Sequence, residues 1–362
     1  MAPVGQISVA SFGYCERWAR LTGGDDMNFK KSTINPSTKI YVAGHTGLVG
    51  SALVRVLRNS GYNNLVLRSH RELNLANQAA VAQFFSQECP EYVLLAAAKV
   101  GGILANDTYP ADFIEENLAI QSNVIQQAHR TGARRLLFLG SSCIYPKHCP
   151  QPIKEEYLLT GPLESTNRAY AVAKIAGIEM CSAYNRQHET RFLAVMPTNL
   201  YGEGDNYDLE TSHVIPALIR KMSEAKQNDS QTVTIWGTGQ PRREFLHSDD
   251  LANACLLLMR LADDKFSALL YAEHGPVINI GCGEDITIRE LAETVADLVG
   301  FRGELFFDTS KPDGTPRKLL DCSRLNTLGW RPAIPLRAGL LQACQSFSQR
   351  SDRELSPVGG PA

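Results

Sequence analysis

Between residues 39 and 200, apolar residues fall into short unbroken runs that alternate with stretches where they recur at every third or fourth position. The runs at 39–43, 65–67, 92–98, 136–139 and 192–196 have strand length and little polar alternation, the pattern of strands buried on both faces. Between them Ala52, Leu53, Val56 and Leu57 predict a helix that stops at Gly61. The spacing predicts further helices over 75–85, over 117–129 with a stop at Gly132, and around Tyr170. Such regular alternation predicts an α/β fold built on a doubly wound parallel sheet.

Beyond Pro197 the rhythm loosens. Residues 198–212 read as a loop over the strand ends, 213–225 as a helix, and 233–236 as a short strand before a turn at 237–239. The run at 277–281 suits a return to the main sheet. From Ile286 a helix follows, then a strand at 305–307 and a turn at 311–317. We therefore expect a main domain of residues 39–200 and 244–281, and a smaller discontinuous C-terminal domain of 201–243 and 282–345. Residues 1–38 carry Arg17, Arg20, Lys30 and Lys31 against Glu16, Asp25 and Asp26, with no continuous apolar stretch. They read as a disordered extension and not as a secretory signal; a transit peptide has little support, and Met27 is an alternative start. Residues 346–362 read as a tail.

Parallel α/β sheets receive ligands beyond the carboxyl ends of their strands, so the residues there carry the chemistry. After the first strand come Gly44, Thr46, Gly47, Leu48, Val49 and Gly50. Glycines so spaced permit a tight turn, let a diphosphate approach the backbone, and allow close helix–strand packing; the helix N-terminus then faces the phosphates. This is the pattern of a dinucleotide site. A carboxylate about 20 residues further on would grip an unphosphorylated ribose. The second strand instead ends in Arg68, Ser69, His70 and Arg71, with no carboxylate before Glu72. Arg68 and Arg71 offer charge to a 2′-phosphate, which favours NADP(H); solvated loop arginines are the plainer alternative.

The fourth strand stops at Gly140 and delivers Ser141, Ser142 and Cys143 in succession. Tyr170 and Lys174 lie four apart, on one face of any helix that carries them. A free tyrosine, with a pKa of about 10, exchanges protons poorly near neutral pH, and a lysine cation one turn away favours the phenolate. Moving it by about three units takes roughly 4 kcal/mol of differential interaction. A serine hydroxyl can hold the carbonyl oxygen opposite. For the Tyr–Lys spacing alone, an amphipathic pair with Lys174 reaching to water fits as well. The glycine-rich turn upstream tips the reading towards chemistry.

The 44–50 turn, Ser141 and Tyr170/Lys174 together resemble the extended short-chain dehydrogenase/reductase superfamily, with its Rossmann domain. Longer stretches narrow the likeness: A-A-A-K-V-G-G at 96–102, G-S-S-C-I-Y-P at 140–146, M-P-T-N-L-Y-G at 196–202, S-H-V-I-P at 212–216, R-E-F-L-H at 243–247 and K-P-D-G-T-P-R-K at 311–318. These resemble the GDP-L-fucose synthase family, the GDP-4-keto-6-deoxymannose 3,5-epimerase-4-reductases, over about residues 39–345. The resemblance implies NADPH-dependent formation of GDP-L-fucose by 3,5-epimerisation and then 4-keto reduction, the smaller domain binding the GDP-sugar. It implies Ser141, Tyr170 and Lys174 as the reductase triad, Cys143 and His213 for epimerisation, and Lys221, Trp236, Arg243 and Asp313 at the substrate. Leu139, Lys174, Pro197, Asn199, Leu200 and His213 join the glycine turn at the cofactor. A homodimer through the helices at 117–129 and 168–188 is also implied. Arginines frequent in the family at Thr46 and His70 are absent here, which leaves their work to Arg68 and Arg71.

The residue chemistry agrees. A ketone at C4 acidifies the protons at C3 and C5, and Cys143, two residues beyond Ser141, can flank the same carbonyl. A thiol of pKa about 8.5 acts as a base if a positive neighbour lowers it. By itself Cys143 reads as a buried thiol and His213 as a helix-start histidine; the family motifs reverse both readings. Arg243 can bind a diphosphate bidentately, Trp236 offers a flat face, and Asp313-Gly314 is first of all a turn.

Composition narrows the remaining classes. In 362 residues, 44% hydrophobic and 20% charged with a net charge of −2, nothing draws the chain to nucleic acid or an anionic membrane. The nine cysteines are scattered, odd in number and without a C-x-x-C pair, which argues against a disulfide framework or a metal site and for reduced thiols in the cytoplasm. No apolar run reaches the roughly 18 residues of a membrane span. Another NAD(P)-dependent sugar-nucleotide epimerase or dehydratase shares the fold, but a dehydratase is expected to carry acidic residues where Ser142 and Cys143 stand. A non-catalytic NADP-sensing protein needs no Tyr170/Lys174 pair.

Overall fold

The computed structural model of the chain describes residues 34–209, 211–311 and 313–355. The extension expected over 1–33 and the end of the expected tail, 356–362, lie outside the described residues. In order the first half comprises β1 (Ile40–Ala43), α1 (Leu48–Asn59), β2 (Leu65–Val66), α2 (Gln78–Glu88), β3 (Tyr92–Leu95), α3 (Ile103–Thr108), α4 (Pro110–Arg130), β4 (Arg135–Leu139), α5 (Arg168–His188) and β5 (Phe192–Pro197). There follow β6 (Asn199–Tyr201), α6 (Val214–Gln227), β7 (Thr232–Trp236), β8 (Arg242–His247), α7 (Ser248–Arg260), α8 (Asp263–Leu270) and β9 (Val277–Ile280). The chain continues through β10 (Asp285–Thr287), α9 (Ile288–Val299), β11 (Glu304–Asp308), β12 (Arg317–Lys318), α10 (Ser323–Thr327) and α11 (Leu336–Leu355).

The main sheet is parallel throughout, in the order β2-β1-β3-β4-β5-β9. Every residue of β1, β3, β4, β5 and β9 is buried, which is why their sequences carry no polar alternation. One face is covered by α1 and α7, which meet the sheet through Leu53, Leu57, Leu251 and Leu258. The other is covered by α2, α4 and α5, through Phe85, Val124 and Ile178. The order reverses at β1, whose neighbours are β2 on one side and β3 on the other. That switch point opens a crevice at the carboxyl ends of β1 and β3.

Above it stands the smaller unit. β8 is its central strand, paired with β10 antiparallel and with β12 and β6 in parallel, while β7 and β11 form a separate parallel pair. Helices α6, α9 and α11 bury Ile219, Met222, Leu291, Val295 and Leu340 in a core of their own. Among the described residues no helix is long and apolar enough to cross a membrane.

The strand–helix alternation expected to residue 200 is present, with small shifts of boundary. Several later elements differ from expectation. The segment read as a loop contains β6, and β8, α7, α8, β12, α10 and α11 stand where no element was expected. Ile34, expected in the extension, is buried against the main core. Leu320, Leu325 and Trp330, expected in the smaller domain, also pack against the main sheet. α11 continues to Leu355, ten residues past the boundary expected at 345.

Candidate active site

The crevice is shaped by glycines that tolerate nothing larger. Gly44 is left-handed at φ 81°, and a Cβ there would sit 2.8 Å from the Ala97 backbone at the end of β3. A Cβ on Gly50 would lie 1.9 Å from the Gly44 carbonyl oxygen. Gly47 donates its N–H to Gly44 at 3.1 Å and precedes α1, whose first turn holds no acidic residue. The unpaired N–H groups of that turn suit a diphosphate. His45 Nδ1 is buried beside them without a partner. Turn, helix end and orphaned nitrogen fit a dinucleotide.

At the rim of the crevice the expected arginine pair is split. Arg68 donates to Glu88 on α2 at 2.7 Å and to the Leu67 carbonyl at 2.8 Å, with its guanidinium 5.7 Å from the Phe84 ring centroid. Arg71 stays exposed. Thr46 is exposed in the glycine turn, with Leu48 and Val49 half-buried behind it.

Ser141 follows β4 and caps the short turn Ser142–Ile144, its hydroxyl accepting the Cys143 N–H at 3.3 Å. Tyr170, in the first turn of α5, has the Ser141 hydroxyl close enough to favour its phenolate and lies edge-on to Phe113 at 6.3 Å. Lys174, one turn on and 2% exposed, donates to the Leu139 carbonyl at 2.8 Å; its Nζ is 5.8 Å from the Tyr170 ring centroid. The expected downward shift of the tyrosine does not occur. Burial, with the nearby Cys143, raises the Tyr170 pKa against the opposing Ser141 hydrogen bond. Burial also pushes Lys174 down to about 7, which weakens the cation meant to favour the phenolate. Tyr170 therefore stays protonated near neutral pH, as a proton donor requires.

Cys143 is half-buried, and Lys318 of β12 brings its ammonium to 3.8 Å from the sulfur. Lys318 was not singled out from the sequence; its only signal was its place at the end of the 311–318 motif. Arg243 of β8 lies within electrostatic reach of both Cys143 and Asp313, and burial lowers its pKa against their pull. Its Nη1 donates to the Arg242 carbonyl at 2.9 Å. His213 opens α6; its surface is exposed, yet protein crowds round the ring and the desolvation lowers its pKa. Lys221 donates to the Thr234 carbonyl at 3.2 Å, and burial lowers its pKa too.

Trp236 is 55% exposed at the end of β7, with Lys311 Nζ 5.4 Å from its ring. Asp313 ties two turns together, its carboxylate accepting from the Thr238 N–H at 2.7 Å and from the Thr238 hydroxyl at 2.8 Å. Pro197 ends β5, and Asn199 and Leu200 begin β6, where Asn199 Nδ2 donates to the Glu244 carbonyl at 2.8 Å. Ser141, Cys143, Tyr170, Arg243 and Lys318 thus converge. The arrangement offers a proton donor, a thiol beside a cation, and a second cation, next to a crevice shaped for a dinucleotide.

Known proteins share this architecture and sequence. The NAD dependent epimerase/dehydratase family matches residues 40–281. GDP-L-fucose synthase 1 of Arabidopsis thaliana is 59% identical over 311 residues, which are 86% of this chain and 93% of that protein. Among solved structures, a GDP-6-OMe-4-keto-L-xylo-heptose reductase from C. jejuni superposes with a TM-score of 0.82 at 41% identity, over 88% of this chain and 99% of that one. A GDP-L-fucose synthetase from Naegleria fowleri bound to NADP gives a TM-score of 0.79 at 27% identity, over 89% and 97%. On the sequence match, the fold and the glycine-lined crevice together, this chain belongs to the NAD dependent epimerase/dehydratase family and groups there with the GDP-L-fucose synthases.

Proposed function

We propose that the chain converts GDP-4-keto-6-deoxy-D-mannose to GDP-L-fucose with NADPH, by 3,5-epimerisation and then reduction of the 4-ketone. The observation that carries this reading is the meeting of two sets of groups at the end of β4. A reductase set, Ser141 with Tyr170, stands beside a thiol–ammonium pair, Cys143 with Lys318, that plain reduction does not need.

NADPH, when bound, supplies the hydride. The glycine turn at 44–50 and the start of α1 would hold its diphosphate, and Leu139, Pro197, Asn199 and Leu200, at the strand ends, would hold its nicotinamide half. Ser141 and Tyr170 hold the C4 oxygen of the sugar and polarise the ketone, which acidifies C3 and C5. Cys143, with the Lys318 ammonium 3.8 Å from its sulfur, removes the protons and His213 returns them from the opposite face. Tyr170 then gives its proton to the C4 oxygen. Lys174 orders the tyrosine and the cofactor ribose. Arg243 and Lys221 meet the diphosphate of the GDP moiety, Trp236 offers a stacking face, and Asp313 keeps the turn beneath them in place.

The chain is further proposed to act as a homodimer through the outer faces of α4 and α5, in the cytoplasm. The free thiols of Cys143, Cys181, Cys255 and Cys344 support a reducing compartment. The test of the activity is direct. Purified chain, GDP-4-keto-6-deoxymannose and NADPH should yield GDP-L-fucose with one NADPH consumed per product. Consumption of NADPH with formation of only the unepimerised 4-hydroxy sugar would overturn the reading in favour of a simple C4 reductase.

A further inference from the structure

The strand that brings Lys318 to Cys143 is only two residues long, and beside its backbone pairings the side chain of its first residue is clamped on the side away from the site. β12 runs parallel to β8, with Arg317 opposite Arg242 and Lys318 opposite Arg243. Successive side chains of a strand point to opposite faces. Arg242 and Arg317 therefore share one face, and Arg243 and Lys318 share the other. On the first face stands Asp285 of β10, its side chain only 4% exposed. One carboxylate oxygen accepts from Arg242 Nε at 2.7 Å, and the Asp285 carbonyl accepts from Arg242 Nη2 at 2.8 Å. The other carboxylate oxygen accepts from Arg317 Nε. Burial opposes the charge on Asp285, but the hydrogen bonds from Arg317 and Arg242 outweigh it and hold the carboxyl below the usual range.

On the opposite face Arg243 and Lys318 look onto Cys143. The neighbouring Glu244 accepts the Leu320 N–H at 3.0 Å, which fixes where the strand ends without setting how its side chains are turned. We propose that Asp285 is a positioning residue for epimerisation: by clamping Arg242 and Arg317 behind the strands, it holds Arg243 and Lys318 in front of Cys143. The proposal rests on the reading of Cys143 as the base given above.

The experiment measures alkylation of Cys143 by iodoacetamide in the NADPH-loaded full chain near neutral pH, followed by mass on the peptide that contains it. Thiolate reacts and thiol does not, so D285N and R317Q should each slow Cys143 by about tenfold, as should K318M. The double variant D285N/K318M should be slower than K318M by clearly less than the full D285N factor, because Asp285 acts in part through Lys318 and coupled sites are not additive. NADPH affinity should not change, since neither Asp285 nor Arg317 belongs to the crevice. R317Q cuts the clamp on the strand side and leaves the Asp285–Arg242 bond, so it answers the question if D285N does not fold. Normal alkylation in both single variants, or losses in D285N and K318M that multiply, would overturn the proposal. Alkylation requires no sugar, so this failure leaves the GDP-sugar reading standing. Absence of turnover by the unmodified chain would sink that reading alone.

Discussion

At the scale of single residues, burial decides the protonation states of Tyr170 and Lys174. Tyr170 is kept protonated, and its proposed role as donor to the C4 oxygen predicts that Tyr170→Phe lowers reduction by about 10²–10⁴-fold, the usual contribution of a positioned acid. NADPH affinity should barely change, as titration of the bound cofactor's fluorescence would show; near-normal turnover would mean another acid does the work. Lys174 allows a sharper test. Its pKa falls to about 7 in the folded chain from an ordinary 10.5, so the unfolded chain holds the extra proton between those values. Stability therefore rises with pH across that window, and the full cost of the buried charge is present below about 7. Lys174→Met cannot titrate. In cofactor-free protein its stability relative to the unmodified chain should be highest near pH 7 and decline towards about pH 10, by on the order of a few kcal/mol. Leaving the Leu139 carbonyl without its donor offsets the variant by an amount independent of pH, so the slope carries the information. A flat difference in urea unfolding across the two pH values would show that Lys174 does not titrate there.

At the scale of elements, the β2–α2 unit gives the two arginines different surroundings. Glu88, on the last turn of α2, accepts from Arg68 at 2.7 Å and the Phe84 ring lies 5.7 Å from its guanidinium, whereas Arg71 is exposed and uncommitted to either. Arg71→Ala should thus lower the preference for NADPH over NADH about tenfold, the scale of one charge-assisted phosphate contact. Arg68→Ala should change the preference much less, read as the ratio of kcat/KM for the two cofactors; equal effects would return Arg68 to the phosphate. The two arginines look alike in sequence, and only a helix twenty residues away distinguishes them. The same contrast runs through the fold. The main strands were legible because their residues are nearly all buried and, Arg135 and Asn279 apart, apolar or aromatic. β8, R-R-E-F-L-H, was not, because the buried Glu244 carboxylate is satisfied by partners distant in sequence, among them the N–H groups of Gly283 and Leu320, which no periodicity announces. α7 was not singled out either: Leu251 to Met259 is apolar at every position but Asn253, a run that does not by itself tell helix from strand. Strands as short as β6 and β12 have no pattern to read at all, and Lys318 was missed with its strand.

At the scale of the whole molecule, the site is divided between the two units, and so is the chemistry. Ser141, Tyr170 and Lys174 come from the main sheet and its helix, whereas His213, Arg243 and Lys318 come from the unit above it. On the proposed reading, reduction needs only the first set and the cofactor, while epimerisation joins Cys143 of the main unit to His213 and Lys318 of the other. The two reactions should therefore separate by mutation. Substrate held in heavy water with NADP⁺ in place of NADPH should take up deuterium at C3 and C5 without being reduced. Tyr170→Phe should keep part of that uptake, its loss measuring how far the tyrosine polarises the ketone. Cys143→Ser should lose it, since a hydroxyl is far less acidic than a thiol and makes a poor base at neutral pH. His213→Gln should fail to complete the inversions, because an amide cannot return a proton. Proton resonances at C3 and C5 would follow all three. If Cys143→Ser exchanges at the normal rate, the thiol beside Lys318 only packs, and the base belongs to another group in the cleft between the units.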